Sequence, residues 1–154
     1  MIMDAFITDD RLQSASLTTT RAVEVHRTQV CALTRRVHEK SLFGDIPFSD
    51  VKLDRAFDKT LKAPERHLGL VVAFGPRVLG CCYCSIGGYF IGDGARIVSV
   101  HTICVDPDVS DGLLGGKVVL RLAKGIWEVS FSRFFAGGIG PEGAPHGCKL
   151  AHIS

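Results

Sequence analysis

The stretch from residue 97 to residue 120 contains the residue pattern that points most directly to chemistry. An apolar, β-type run ends in the tripeptide Val-Asp-Pro at 105–107. A short loop follows, and then an amphipathic pattern predicts a helix from about Leu114. The first amides of a helix have no partner within it and lie at the positive end of its dipole. Residues 110–117 can therefore hold a phosphate group without a cationic side chain, and coenzymes with a pyrophosphate use this geometry.

A histidine and a cysteine on the run before this loop are the other candidates for chemistry. His101 carries an imidazole, which titrates near neutral pH and suits a general base, although a strand histidine is more often packed in the core. Cys104 lies three residues further on, and a buried neutral thiol is the more common role there than a nucleophile. The sequence shows no Ser-His-Asp constellation and no Walker-type loop.

Six cysteines in one chain could form a metal site or a disulfide framework. Paired CxxC knuckles, the strong signal for zinc, are missing, so no metal is predicted. The start of the chain lacks a secretion signal, which argues against disulfides. We expect small buried apolar side chains instead. The six cysteines are Cys31, Cys81, Cys82, Cys84, Cys104 and Cys148.

Composition indicates one globular domain. The chain has 154 residues, of which 46% are hydrophobic and 22% charged, and these values suit a single core. A formal net charge of +2 is too small to indicate nucleic acid or an anionic membrane as partner. We expect a loose tail over 1–17, a domain over 18–154 and a cytoplasmic location, because the tail lacks the apolar core of a signal peptide.

Periodicity predicts the elements that must position these residues. Apolar residues at spacings of three and four indicate helices, whereas short β-branched and aromatic runs indicate strands. The predicted order is β-α-α-β-β-β-α-β, an α/β (α+β) fold with a mixed, mostly antiparallel sheet flanked by helices. The predicted strands are 18–23, 68–74, 77–86, 95–105 and 129–136, and the predicted helices are 24–40, 50–63 and 114–128.

Side-chain alternation predicts how the central strand and the last helix face the core. One face of the strand would carry Val98, Val100, Thr102 and Cys104. The other would carry Ile97, Ser99, His101, Ile103 and Val105. The helix would turn inward Val119, Leu122, Ala123 and Ile126.

This order of elements resembles the GNAT superfamily of acyl-CoA N-acyltransferases, and most of all its phage and prophage members. The likeness covers about residues 18–150. It is carried by four segments: His-Glu-Lys-Ser at 38–41, Tyr-Phe at 89–90, Val-Asp-Pro at 105–107 and Ala-Gly-Gly-Ile-Gly-Pro-Glu-Gly at 136–143. It implies an acetyl-CoA-dependent N-acetyltransferase that transfers the acetyl group directly to an amine of a small molecule or peptide. A GNAT-like fold without catalysis, serving as a CoA-binding or protein-interaction module, is the alternative.

The resemblance also implies roles for particular residues. The pantetheine arm of acetyl-CoA would run beside the backbone of Ile103, Cys104 and Val105. Glu39, near the implied acceptor pocket, joins His101 as a candidate base, with a plain surface glutamate as its alternative. The pyrophosphate would lie on Ser110, Asp111, Gly112, Leu113, Leu114, Gly115, Gly116 and Lys117.

Several residues depart from the family's pattern. Ser110 stands where Arg or Gln is usual, and Leu113 stands where Gly is usual. Asp108 and Asp111 add negative charge beside the proposed anion site, each costing about 1 kcal/mol before salt screening. The family's late tyrosine is missing, since the only tyrosines are Tyr83 and Tyr89. A predicted open edge at 129–136 would favour a homodimer.

Overall fold

The computed structural model describes residues 17–94 and 96–135, with backbone alone for 131–135. Within that part, four strands form one antiparallel sheet in the order β1-β2-β3-β4, which confirms the predicted α+β class. The helices are α1 (Arg27–Lys40), preceded by a 3-10 turn at Glu24–His26, α2 (Asp50–Lys62) and α3 (Leu113–Phe135). The strands are β1 (Leu17–Arg21), β2 (His67–Phe74), β3 (Arg77–Gly88) and β4 (Arg96–Val105).

Apolar side chains cover both faces of the sheet. Helices α1 and α2 pack on one face, called here the α1–α2 face, and α3 packs on the other, the α3 face. The core of the α1–α2 face comprises Ala22, Val30, Leu33, Phe57, Val71, Val78, Cys81 and Cys104. The core of the α3 face comprises Leu17, Leu68, Leu70, Val72, Leu79, Cys82, Cys84, Val98, Val118, Leu122 and Ile126.

Local sequence signals set several element boundaries. The Ser49 side chain accepts a hydrogen bond from the Lys52 amide and caps α2, as an N-cap serine should. Gly75, at φ 55°, makes the tight turn between β2 and β3, a conformation that favours glycine. Leu17 is buried in β1 and so belongs to the domain rather than to the predicted tail, whose remaining residues, 1–16, lie outside the described part. No described helix is long and apolar enough to cross a bilayer.

The predicted strand at 129–136 is wrong over 129–135, because α3 continues to Phe135. The segment is rich in aromatic and β-branched residues, which favour strands. Burial of Val118, Leu122, Ile126 and Ser130 at a spacing of four nevertheless continues one helical face, and packing overrides local propensity. Residue 136 lies outside the described residues. A helix at 129–135 offers no open strand edge there, so the predicted homodimer stays a prediction without that edge to support it.

Strand β4 contains a bulge at His101. Tyr83 of β3 pairs with Thr102, but the next residue, Cys84, pairs with Val100. His101 is therefore the extra residue, and an extra residue in a strand shifts the side-chain alternation beyond it. Beyond His101, side chains that were predicted to lie on one face of β4 therefore lie on the other face.

The predicted faces are accordingly wrong across this bulge. Val98 and Val100 pack on the α3 face, whereas Cys104 packs on the α1–α2 face. Val105, predicted to lie on the face opposite Val98 and Val100, packs on the α3 face together with them. The inward face of α3 also differs from the predicted face. Val118 is buried, whereas Val119 and Ala123, which were predicted to face inward, are exposed. The inward positions of Leu122 and Ile126 are confirmed.

Gly80 should be indispensable to the packing of β3 against α3. A Cβ there would lie 2.3 Å from Val118 Cγ1 and 3.2 Å from the Cys104 carbonyl oxygen. We expect Gly80→Ala to lower the free energy of unfolding by about 1–3 kcal/mol, because overpacking a tight core has this cost. Urea unfolding measures the effect. The matched control is Gly87→Ala on the same strand, where a Cβ would meet nothing within 4 Å. Equal stability of both variants would contradict the prediction.

Candidate active site

The loop after β4 is held by a buried carboxylate. Asp106 is the first residue after the strand, and its side chain is 4% exposed. Its Oδ1 accepts the Asp108 amide at 2.9 Å, and its Oδ2 lies 2.8 Å from the Arg77 guanidinium. Arg36 of α1 also approaches, 3.4 Å from Asp106 and 3.1 Å from Asp108. Two arginines from distant segments thus fix where the loop begins.

These contacts revise the expected electrostatics of the loop. Asp108 was expected to repel an anion, but it pairs with Arg36 and lies 3.4 Å from Arg77. The two aspartates and the two arginines together carry no formal net charge, so repulsion from Asp108 is largely offset. Asp111 is exposed and belongs to none of these ion pairs.

Asp106 should contribute a pH-dependent part of the stability. Burial opposes its ionisation, but the Asp108 amide and the Arg77 guanidinium outweigh burial and hold the pKa of Asp106 below its ordinary value. A lowered folded pKa stabilises the protein above the unfolded pKa, and that stabilisation is lost as pH falls through the folded pKa. We expect Asp106→Asn to lower the free energy of unfolding by about 1–2 kcal/mol at pH 7.

Urea unfolding at neutral and at acid pH measures this loss. The difference between Asp106→Asn and the native protein should shrink as pH falls, because the native carboxylate is then protonated. Asp108→Asn is the control, since that side chain is 61% exposed and exposed pairs contribute little. A difference for Asp106→Asn that is the same at every pH would contradict the assignment.

The loop packs closely on the start of α3. A Cβ on Gly115 would lie 2.5 Å from the Val109 carbonyl oxygen and 2.7 Å from that of Ser110, so glycine is required there. The first hydrogen bond of the helix runs from the Gly116 amide to the Gly112 carbonyl. The amides before it have no acceptor within the helix. The predicted helix start is confirmed within one residue, at Leu113, and the loop can present amides to an anion.

His101 lies in a row of three rings across β2, β3 and β4. Its Nε2 lies 2.7 Å from Ser85 Oγ, and its ring stacks on Tyr83 with centroids 5.2 Å apart. The Tyr83 hydroxyl lies 2.9 Å from His67 Nδ1, and those two rings stack at 5.9 Å. The imidazole of His101 is exposed but held on two sides. It is therefore available to a substrate in a fixed orientation.

Burial shifts the pKa values of two of the side chains in this row, His67 and Tyr83. Burial lowers the pKa of His67, and the nearby Lys59 adds to that effect. Burial raises the pKa of Tyr83. Both shifts favour the neutral forms at neutral pH, in which either the Tyr83 hydroxyl or an Nδ1–H of His67 can donate, according to the tautomer of His67. The Tyr83 hydroxyl is thus hydrogen-bonded to His67, and its ring packs against that of His101.

The other predicted site residues outside the loop before α3 lie at the end of α1 and on the last part of β4. Glu39 is exposed on the last turn of α1, and none of the described hydrogen bonds or ion pairs joins it to His101. Ile103 is 40% exposed and Val105 is half-buried. Cys104 is buried and points to the α1–α2 face, opposite Cys81 in register. The structure does not gather these residues with His101 into one cluster of contacts.

The described cysteines serve mainly as core residues. Cys81, Cys82, Cys84 and Cys104 are buried, and Cys31 is partly exposed, while Cys148 lies outside the described residues. The Cys81 thiol donates toward Cys104, which lowers the pKa of Cys104 and raises that of Cys81. Within the described part of the chain, no three or more His, Cys, Asp or Glu residues are grouped to hold a metal ion.

A small cavity of about 40 Å³ lies between helices α1 and α2 and the sheet, next to this row of rings. Its volume suffices for a water molecule. Tyr83 and Thr102 form part of its wall on the sheet, and Phe57 and Thr60 form part of its wall on α2. The cavity lies behind the ring of Tyr83 and is mainly apolar.

Solved structures share this architecture. A GNAT family acetyltransferase from Staphylococcus aureus matches with a TM-score of 0.53 and 10% identity, over 84% of this chain and 96% of that one. A predicted acetyltransferase from Clostridium acetobutylicum, solved with acetyl-CoA, gives 0.54 and 12% over 74% and 75%. A transcriptional regulator from Bacillus halodurans gives 0.56 and 14% over 88% and 99%. The chain therefore has the fold of GNAT acetyltransferases, as the resemblance implied.

Sequence comparison adds no assignment, since no family model and no curated protein matches the chain. The fold neighbours have different functions in their descriptions, and one fold can host several functions. What this chain does must therefore be argued from the site itself. Its two parts are the loop before α3 and the imidazole on the bulge of β4.

Proposed function

We propose that this protein is an acetyl-CoA-dependent N-acetyltransferase that transfers an acetyl group directly to an amine. The observation that carries the proposal is that β4 links the two parts of the site. The strand holds an oriented, exposed imidazole at its bulge and continues into a charge-neutralised loop at a helix start. The GNAT fold neighbours, one of them solved with acetyl-CoA, support this reading. A cytoplasmic location and closeness to phage members belong to the proposal as predictions from sequence.

The residues present fit acetyl-CoA. Within 110–117, the amides that make no hydrogen bond inside the loop or the helix would hold the pyrophosphate, and the backbone edge of β4 at 103–105 would lie beside the pantetheine arm. Gly115 keeps the loop close to the helix start, and the pairing of Asp108 with Arg36 removes one obstacle to an anion. When bound, the coenzyme supplies an activated acyl group as a thioester.

His101 would act on the acceptor. An amine attacks a carbonyl only in its neutral form, and it must lose a proton as the new bond forms. The imidazole is exposed and its orientation is fixed, so it can take that proton. Glu39 would be the second candidate, at the exposed end of α1. Orientation of the acceptor would itself supply part of the acceleration.

Titration calorimetry with acetyl-CoA tests the cofactor site. We expect weak binding by the native protein and about tenfold tighter binding by Asp111→Arg, which replaces an exposed carboxylate by a cation near the proposed pyrophosphate. The control is Asp93→Arg in the β3–β4 loop, which makes the same change of charge at the other end of β4. An equal gain of affinity for acetyl-CoA in both variants would indicate general electrostatic attraction of the anionic coenzyme rather than a binding site at the loop before α3. Sub-micromolar binding by the native protein would contradict the expected weakness.

The alternative is a GNAT-like module that binds CoA or another protein without catalysis. It is favoured by Ser110 and Leu113, which replace the residues usual in the cofactor loop. Release of free CoA in the presence of a panel of amines distinguishes the two functions. Binding of acetyl-CoA without amine-dependent release would support the module.

A further inference from the structure

We propose that Ser85 is a positioning residue for His101: its hydroxyl accepts the Nε2–H of the imidazole and leaves Nδ1 open to take the proton of the acceptor amine. The inference rests on the proposed function for its catalytic consequence. Its structural part, the direction of the hydrogen bond, can be tested by itself.

The geometry makes the two ring nitrogens of His101 different. Nε2 is 2.7 Å from Ser85 Oγ, a normal hydrogen-bond distance. No described hydrogen bond involves Nδ1. Tyr83 stacks on the ring at an interplanar angle of 29°, and it is itself fixed by His67. The stacking on Tyr83 fixes the plane of the imidazole, and the Ser85 contact selects which edge of the ring faces β3.

The direction of the Ser85–His101 hydrogen bond decides whether the imidazole can take the proton of the acceptor amine directly. A hydroxyl both donates and accepts, and a neutral imidazole has one N–H and one open nitrogen. If Ser85 donated, Nδ1 would carry the ring proton, and Nε2 could take a proton only from Ser85, which would have to take the proton of the acceptor amine in turn. If Ser85 accepts, Nδ1 is open. Tyr83 does not take the place of Ser85 as partner, because its hydroxyl is hydrogen-bonded to His67.

The bulge explains why a serine of β3 reaches this histidine. Ser85 is paired in register with Ser99, two residues before His101. Because His101 is the extra residue of β4, its side chain leaves the regular alternation and meets Tyr83 and Ser85 on the neighbouring strand. None of the described hydrogen bonds joins Ser99, the register partner of Ser85, to the imidazole, so Ser99 is a suitable control.

Nitrogen-15 NMR of the ring nitrogens shows which one carries the proton, and His101→Gln assigns the signals. We expect Nε2–H alone in the native protein, both tautomers in Ser85→Ala, and the native pattern in Ser85→Thr and Ser99→Ala. Acetyl transfer should fall about tenfold in kcat in Ser85→Ala, with the KM for acetyl-CoA unchanged, and should recover in Ser85→Thr, because a freed imidazole is misaligned part of the time.

Two results would overturn the inference. One is Nδ1–H as the main tautomer of the native protein, since Ser85 would then be the donor. The other is a Ser85→Ala variant with the native tautomer and native kcat. Lack of any acetyl transfer by the native protein would instead refute the proposed function, and the NMR result would still decide the role of Ser85.

Discussion

Replacing His101 by glutamine is expected to lower kcat for acetyl transfer by about 100- to 1,000-fold, the usual contribution of a positioned general base. Glutamine is similar in size and retains a group that can donate to Ser85, so the site should keep its shape. The free energy of unfolding should change little, because the imidazole is exposed. Steady-state kinetics with acetyl-CoA and a reactive amine, with thermal unfolding in parallel, measure both effects.

Glu39→Gln is the matched variant at the other candidate base. The carboxylate is exposed at the end of α1, and none of the described contacts ties it to His101, so we expect a change in kcat of less than about threefold. A large loss in Glu39→Gln with none in His101→Gln would reverse the two roles. Unchanged rates in both variants would remove both residues as bases and indicate proton transfer through water.

Local signals in the sequence predicted most of the element boundaries. Either Ser49 or Asp50 can cap α2 from the sequence, and Ser49 does so. The Gly75-Pro76 pair, typical of a hairpin turn, directly follows the end of β2, because capping and tight turns depend on a few neighbouring residues. The loop before α3 was predicted for the same reason. The segment 129–135 was predicted wrongly, since its aromatic residues favour a strand locally while the buried face of α3 continues through Ser130.

The site was predicted only in part, because its contacts join distant positions. His101 was named from its residue type and strand. Its partners Ser85 and Tyr83 are 16 and 18 positions earlier in the chain, and only the register of β3 with β4 brings them to it. The bulge that sets this contact leaves no signal in the alternation of apolar residues. Tyr83 and Ser85 are two residues apart and therefore lie on the same face of β3. With the register of β3 and β4 known, that spacing would have identified them as neighbours of His101.

The electrostatics of the loop show the same limit of local reasoning. Asp108 was expected to oppose an anion because the sequence places it beside the loop. In the structure Arg36 comes from α1 and Arg77 from the start of β3, and both meet the aspartates. Pairs of this kind depend on the tertiary fold, and here they offset most of the repulsion that Asp108 would otherwise exert on an anion bound at the loop.

Gly115→Ala is expected to weaken acetyl-CoA binding by about 10- to 100-fold, which corresponds to the 1–3 kcal/mol typical of overpacking. The new Cβ would lie 2.5 Å from the Val109 carbonyl oxygen and 2.7 Å from that of Ser110. Both are backbone atoms, so the loop itself must move away from α3. The amides that would hold the pyrophosphate lie on that loop and on the adjoining helix turn, and their relative positions would change.

The next residue provides the control for this prediction. A Cβ on Gly116 would meet nothing within 4 Å, and alanine favours a helix over glycine by about 0.5–1 kcal/mol. Gly116→Ala should therefore be slightly more stable than the native protein and keep its affinity for acetyl-CoA within about threefold. Calorimetric titration and thermal unfolding of the two variants give both quantities. Native affinity in a folded Gly115→Ala variant would show that acetyl-CoA does not depend on this loop, and the cofactor site would have to be sought elsewhere on the molecule.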